Sequence, residues 1–346
     1  MRSRGPTVAV TIKDVAREAG VSVATVSRAI NGQGSVSPAV RARVLEVAGR
    51  LDYAPHQAAR ALSSRRTRTI GAVLPDLHGE FFSELIRGIG QAARAHGLHL
   101  LLSSDHGDAG GQGVALQAMR GRVDGVLVMA PTDEGMRSLS AHLAPGLPAV
   151  LINAIDADGR WPGVAVDAYG GARAMVRYLL DTGRPRIAFV AGPEDNHDAR
   201  ERRRGCEDET AAAPGARLQV LPGRFDEASG VEAAHALLAA GPLPDAVFAA
   251  NDAMAIGCLQ AFADAGVDVP GRVAVAGFDD IPLARYVRPA LTTMRVDIAE
   301  LGAMALRVLL GLEPGGAGNG TLVRGRLVTR DSTSCQRVHI IDNHGS

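Results

Sequence analysis

The sequence predicts an α/β chain in which a small helical N-terminal unit precedes two lobes, each built on a parallel sheet. Three observations predict it. Residues 11–51 carry apolar residues at helical spacing, broken by a glycine turn; from Thr69 onward continuous apolar runs alternate with amphipathic stretches; and charge divides sharply between these two parts.

The first helix opens at Thr11, an N-cap type, and places Ile12, Val15, Ala16 and Ala19 on one face. Gly20 ends it, since glycine readily takes the left-handed conformation that satisfies terminal carbonyls. Ser22 caps a second helix that turns Val26 and Ile30 inward and leaves Val23, Ala24, Thr25, Ser27 and Arg28 on or near the outer face. Two short helices joined by a glycine turn form either a helix-turn-helix, which presents its second helix to the major groove, or an ordinary helical hairpin. Ser37 and Pro38 start a third helix with Val40, Val44, Leu45, Val47, Ala48 and Leu51 as its apolar stripe, enough for one shared small core.

Charge favours the DNA-binding alternative. Through Arg68 there are twelve basic residues (Arg2, Arg4, Lys13, Arg17, Arg28, Arg41, Arg43, Arg50, Arg60, Arg65, Arg66, Arg68) against four acidic ones (Asp14, Glu18, Glu46, Asp52), a net of +8. The whole chain sums to zero, so the remainder carries −8 and the positive field belongs to the N-terminal unit. Residues 55–68 form a linker: Pro55 can open a helix that continues to Leu62, too short to be stable alone, and 63–68 are polar.

From Thr69 the strands are TIGAVLP, LHLLLSS, VDGVLVMA, PAVLINA, RIAFVAG, RLQVLPG, AVFAAND and VAVAGFDD, with helical segments such as FFSELIRGIGQAARAHG, VALQAMRGR, MRSLSAHLA and GGARAMVRYLLDTG between them. Apolar strands alternating with helices mean parallel sheets covered on both faces, and this many strands call for two doubly wound lobes.

Other classes find little support. Gly88, Gly90 and Ala93 match G-x-G-x-x-A, but inside a helical run, without the strand end and helix start that a dinucleotide pyrophosphate needs. No nucleophile elbow, H-E-x-x-H pair or P-loop occurs. His78, His96, His99 and His106 scatter over a loop, a helix end and a strand, and Cys206, Cys258 and Cys335 are odd in number and far apart, so no metal, cofactor, disulfide framework or catalytic residue is expected. No segment reaches the roughly 20 apolar residues of a membrane helix, and MRSRGPTVAV has no apolar signal core, which predicts a cytoplasmic protein.

TIKDVAREAGVSVATVSRAING followed by LDYAPHQAARAL resembles the LacI/GalR family of bacterial transcription regulators, and TIGAVLPDLHGEFF, RVDGVLV, FAANDAMAIG, VPGRVAVAGFDDIPLARYVRPALTTMR and LVTRDST extend the resemblance over nearly the whole chain. The galactose-repressor branch looks nearest. The resemblance implies a helix-turn-helix domain over 1–54, a hinge helix and linker over 55–68, and a two-lobed effector-binding domain over 69–334 similar to periplasmic sugar-binding proteins, with 335–346 as a tail. Lobe 1 would comprise about 69–166 and 295–320, lobe 2 about 167–292 and 321–334. In the hinge, Leu62 matches the family's minor-groove wedge and Ala59 the small position beside it.

DNA contact is expected from Thr11, Lys13, Ser22, Val23, Ala24, Thr25, Ser27, Arg28 and Asn31. Val23 and Ala24 suit thymine methyls and Arg28 a guanine, whereas Ser22, Thr25, Ser27 and Asn31 would contact phosphates or cap. The effector is expected beyond the carboxyl ends of the strands, where Asn153, Asn251, Asp252, Asp279 and Asp280 lie; for Asn251 or Asp252, and for Asp280, helix capping is the competing role. Aligning GPEDNHDARERRRG on the family places its ligand-binding arginine at Arg202 and polar cleft residues at Asn196 and Asp198. Phe225 would stack on a sugar or belong to the core, and Phe81 and Phe82 would form the first lobe's aromatic wall. Carboxylates, amides and one arginine over an apolar face describe a monosaccharide better than a nucleobase.

The stretch between Gly205 and Gly223 is short for the family, and the tail lacks the leucine heptad of tetrameric members, which predicts a homodimer. The expectation is a dimeric, sugar-released repressor of carbohydrate-utilisation genes on a pseudo-palindromic operator. The alternatives are a co-repressor-dependent regulator answering to a nucleobase or other metabolite, a sugar-binding protein without DNA function, and a nicotinamide-dependent enzyme.

Overall fold

The computed structural model describes residues 10–31, 36–53, 66–104, 110–156, 158–314 and 320–334. Ala59 and Leu62 of the expected hinge helix, His106, Cys335 and the tail lie outside them. The chain divides into two compact units, Met1–Thr67 and Arg68–Ser346.

The first unit contains α1 (Ile12–Ala19), α2 (Val23–Asn31) and α3 (Pro38–Arg50). The Asp14 carboxylate accepts from both the backbone N–H and the hydroxyl of Thr11, at 3.0 and 2.7 Å, which closes the start of α1. Gly20 has φ +64°, and the N–H of Val21 reaches the carbonyl of Ala16 at 3.1 Å, so the helix stops there. Ser22 caps α2 through the Thr25 N–H at 3.1 Å, and Ser37 caps α3 through that of Val40 at 3.4 Å. Val15, Ala16, Ala19, Val26, Ala29, Val44, Val47 and Ala48 form the core of the unit. One expectation fails: Leu45 is 49% exposed. With Val44, Val47 and Ala48 turned inward, a residue one position after Val44 is rotated by about 100° and cannot join the stripe.

The second unit holds two sheets. The first has the order β11-β5-β4-β3-β1-β2, with β1 (Thr69–Leu74), β2 (His99–Ser104), β3 (Gly125–Val128), β4 (Ala149–Ile152), β5 (Gly163–Val166) and β11 (Thr321–Val323), all parallel. The second has the order β12-β10-β9-β8-β6-β7, with β6 (Arg186–Val190), β7 (Arg217–Leu221), β8 (Ala246–Ala249), β9 (Ala274–Asp279), β10 (Thr292–Arg295) and β12 (Arg326–Val328); only β12 runs antiparallel, against β10. Helices α4 (Gly79–Ala95), α5 (Gly111–Met119), α6 (Asp133–His142), α7 (Ala168–Asp181), α8 (His197–Ala211), α9 (Glu227–Ala239), α10 (Asp252–Asp264) and α11 (Ile298–Leu309) connect and cover the sheets.

The chain passes between the sheets three times. It leaves the first after β5, returns after β10 as α11 packs on β3, β4 and β5, and leaves again between β11 and β12. The last passage therefore falls after Val323, not near Gly320, because Thr321–Val323 pairs with Val164–Val166 as an edge strand of the first sheet. Strands β5, β10, β11 and β12 are three or four residues long and answer to no sequence pattern of their own.

Gly88, from the G-x-G-x-x-A match, sits inside α4, where a Cβ would come within 1.9 Å of the Ala299 carbonyl oxygen; it is a helix-crossing glycine. Cys206 and Cys258 are free and buried, and burial pushes both thiols up, Cys258 to about 12. Among the described residues no group of His, Cys, Asp and Glu could hold a metal ion, and no helix is long and apolar enough to cross a membrane.

Candidate functional site

In the first unit, Lys13, Ser22, Ala24 and Arg28 are exposed, Val23 is 41% exposed, and Thr25 and Ser27 are half-buried; Asn31 ends α2. Val26 and Ala29, 0% and 1% exposed, anchor the opposite face of α2 in the core. This orientation gives the outer face of α2 to solvent with one apolar side chain, one methyl and one guanidinium along it. Ser22 accepts from the Thr25 backbone as the cap, and its hydroxyl also meets that of Thr25 at 2.9 Å.

In the second unit a strand end followed by a capping residue recurs, and this repetition builds the polar lining. Asn196 caps α8 through the Ala199 N–H at 3.1 Å, Asp226 caps α9 through that of Ser229 at 2.7 Å, and Asn251 caps α10 through that of Met254 at 3.0 Å. The next turn of α8 then aims Asp198 and Arg202 inward, 6% and 4% exposed. Asn153 follows β4 and Asp279 ends β9, 3% and 5% exposed.

Four of the expected residues come together as a buried polar cluster across the lobes. The Asn153 amide donates to Asp198 and its carbonyl accepts from the Val166 N–H at 3.0 Å. The Arg202 guanidinium donates to the Ala250 carbonyl and lies 3.4 Å from an Asp279 carboxylate oxygen. Its flat face covers the Phe278 ring at 3.9 Å and stands 5.9 Å from that of Phe225. The Nε of Arg202 has no partner.

Burial dominates the electrostatics. It pushes the Asp198 carboxyl up to about 6, against the pull of Arg202, His197 and the Asn153 amide. It pushes Asp279 up to about 7, with Arg202 lowering and Asp198 raising it further. Asp252, 0% exposed, is held well above the usual carboxylate range by burial and by Asp279; it accepts from the Thr293 hydroxyl at 2.6 Å and the Ile281 N–H at 2.9 Å.

The remaining expected residues divide. Asn251 spends its carbonyl on the helix cap and its amide N–H on the Phe225 carbonyl at 2.8 Å, so of the pair Asn251 and Asp252 the asparagine is the cap. Asp280 is not a cap either: it joins Arg295 and Arg330, the latter at 2.6 Å. Phe225 is half-buried with its ring over Gly192, where a Cβ would meet it at 2.3 Å. Phe81 and Phe82 pack edge to face at 5.4 Å against the core, beside Glu80, whose carboxylate accepts from the Leu283 N–H at 2.7 Å and joins the lobes a second time. Phe278 was not foreseen, because an aromatic inside an apolar strand reads as core.

Of the six non-glycine residues with positive φ among those described, Asn153, Phe225, Asp279 and Asp280 belong to this region. Such conformations cost of order 1 to 3 kcal/mol each for most side chains and gather where the surroundings impose a function.

Residues 11–56 match the family described as bacterial regulatory proteins, lacI family, and residues 176–333 match the periplasmic binding protein-like domain. The chain is 36% identical over 306 residues to catabolite control protein A of Priestia megaterium, covering 87% of this chain and 91% of that protein. It is 37% identical over 307 residues to the ribose operon repressor of Escherichia coli K12, covering 87% and 92%.

The chain belongs to the lacI family of bacterial regulatory proteins.

The regulator GalR of the same E. coli strain is 37% identical over 308 residues, covering 87% of this chain and 89% of its own, which sets the galactose branch level with the ribose repressor. A lac repressor dimer bound to operator and the anti-inducer ONPF superposes with a TM-score of 0.84 at 28% identity, covering 94% of this chain and 99% of that one. A complex of the transcriptional regulator CelR with cellobiose gives 0.68 at 29% identity, covering 93% and 99%. As a member of the lacI family this chain is a DNA-binding transcriptional regulator, and its relatives are regulators, not enzymes.

Proposed function

We propose that this regulator is a cytoplasmic homodimer that represses carbohydrate-utilisation genes from a pseudo-palindromic operator and is released by a monosaccharide. The observation that carries the reading is the buried Asn153, Asp198, Arg202 and Asp279 cluster, which joins the carboxyl edges of the two sheets. Carboxylates accept from paired hydroxyls, the guanidinium donates, and Phe225 offers an apolar face. The names of the relatives, a ribose operon repressor and a galactose regulator among them, support a sugar, and the lac repressor dimer on its operator supports dimeric DNA binding.

On DNA, α2 of each subunit would enter a major groove, with Val23 and Ala24 against thymine methyls, Arg28 on a guanine, and Thr11, Lys13, Ser22, Thr25, Ser27 and Asn31 holding the backbone. Leu62 would be the minor-groove wedge at the centre of the operator, with Ala59 the small position beside it. The lobes supply the linkage: a sugar bound more tightly to one lobe arrangement than to the other shifts the population between them, and with it the spacing of the two DNA-binding units.

Fluorescence anisotropy on a labelled palindromic duplex from the protein's own upstream region, titrated with monosaccharides, tests this. Release by one sugar is expected. Tightening would make that sugar a co-repressor, and indifference to every sugar would overturn the effector assignment.

A further inference from the structure

We infer that the interlobe cleft selects an uncharged polyhydroxy ligand and excludes the phosphorylated or carboxylated form of the same sugar. The inference rests on the effector reading above and adds the ligand's charge to it.

Among the described residues the cluster holds two carboxylates, Asp198 and Asp279, and one guanidinium, which is already committed. Asp198 and Asp279 face Arg202, whose two terminal nitrogens are engaged by the Ala250 carbonyl and by Asp279. Its Nε–H, in a side chain 4% exposed, has no partner. A single buried donor lacking an acceptor suits one hydroxyl or ring oxygen. A phosphate or carboxylate seeking arginine's paired contact would have to compete with the Asp279 carboxylate for this guanidinium.

The arginines nearby among the described residues are engaged elsewhere. Asp252 is itself a carboxyl, held well above the usual range by burial and by Asp279. Asp280 takes up both Arg295 and Arg330. On α8, Glu201 stands with Asp198 and opposes His197 there, while Arg200 donates to the Glu194 and Asp195 carbonyls and faces Asp133 at 3.8 Å. From the other lobe come the Asn153 amide, on Asp198, and the Asp133 carboxylate, facing Arg200. A phosphate monoester entering here would lose its water and meet two carboxylates at low dielectric, whereas a hydroxyl donates to a carboxylate and accepts from the Nε–H.

The test compares ribose, galactose and glucose with ribose 5-phosphate, galactose 1-phosphate and glucose 6-phosphate, and with inorganic phosphate, by thermal shift and calorimetric titration of the full chain at pH 7.5. At least one neutral sugar should raise the melting temperature, and its phosphate ester should bind roughly tenfold weaker or worse. Asp279→Asn, or Asp198→Asn should the first variant not fold, should narrow that gap. An ester that binds as well as its parent sugar, or a gap unmoved in both variants, would overturn the inference and leave the sugar site standing. If no compound of either kind binds, the sugar reading itself falls and the charge inference with it.

Discussion

The side-chain amide of Asn153 donates to the carboxylate of Asp198, and this bond ties the end of β4 in one lobe to the first turn of α8 in the other. Both partners are buried, and Asn153 takes a left-handed backbone, φ +55°, to make the contact. The bond is thus a joint between lobes as well as part of the cleft lining, and anything that alters Asp198 acts on both.

Acid should stabilise the empty regulator. Folded Asp198 and Asp279 keep their protons up to about pH 6 and about pH 7, against an ordinary carboxylate value of 3.8. The folded state binds more protons across that window, so stability falls as pH rises through it. The melting temperature without ligand is expected to drop between pH 5 and pH 7.5, and Asp279→Asn should flatten the slope by an amount on the order of a few kcal/mol at most. A wild-type profile that rises over this range would contradict the buried-acid account.

Gly88 and Gly90 should respond oppositely to alanine. A Cβ on Gly88 meets the Ala299 carbonyl oxygen at 1.9 Å, whereas nothing approaches one on Gly90 closer than 3.6 Å. Gly88→Ala should cost about 1 to 3 kcal/mol by forcing α4 and α11 apart, and Gly90→Ala should be neutral or gain up to about 1 kcal/mol from helix propensity. Urea unfolding of the two variants separates a packing role from the dinucleotide reading, in which both glycines would matter for cofactor rather than for stability.

Asp280→Ala should be severe. Its carboxylate, 1% exposed, joins Arg295 at the end of β10 to Arg330 beyond β12. Removing it leaves Arg330, itself 14% exposed, without its carboxylate, a loss of about 3 to 5 kcal/mol for a buried pair. Chemical denaturation gives the number, and a change below about 1 kcal/mol would show that water replaces the pair.

Arg28→Ala should relax base preference at one position in each half-site without abolishing binding, a loss of roughly 1 to 3 kcal/mol of discrimination. Selection from a randomised-site library reads this directly, and an unchanged selected sequence would remove Arg28 from base recognition.

Local features were legible wherever one residue type does one job. Ser22 and Ser37 announce helix starts, Gly20 a helix stop, and the apolar runs from Thr69 onward the parallel strands. The cap ambiguity at Asn251 and Asp252 was real, since both are polar and adjacent, and only three-dimensional placement sends Asp252 to Thr293 and Ile281 instead. Placing Arg202 and Asp198 needed a family resemblance, because no local pattern says that a carboxylate in α8 meets an amide after β4. Strands β5 and β10 to β12 were missed because they lack the longer flanking apolar runs that mark β3, β4 and β8, which are themselves only four residues long. The left-handed backbones at Asn153, Phe225, Asp279 and Asp280 left no glycine to mark them.

The threading of the chain between its sheets also governs how the protein can be made. The first sheet waits for Thr321–Val323 and the second for Arg326–Val328, with Ser332 adding hydrogen bonds to Thr292 and Val275. On the ribosome both sheets lack an edge strand until synthesis has passed residue 320. A message cut short near its 3′ end therefore yields two unfinished sheets, not one finished lobe and one missing.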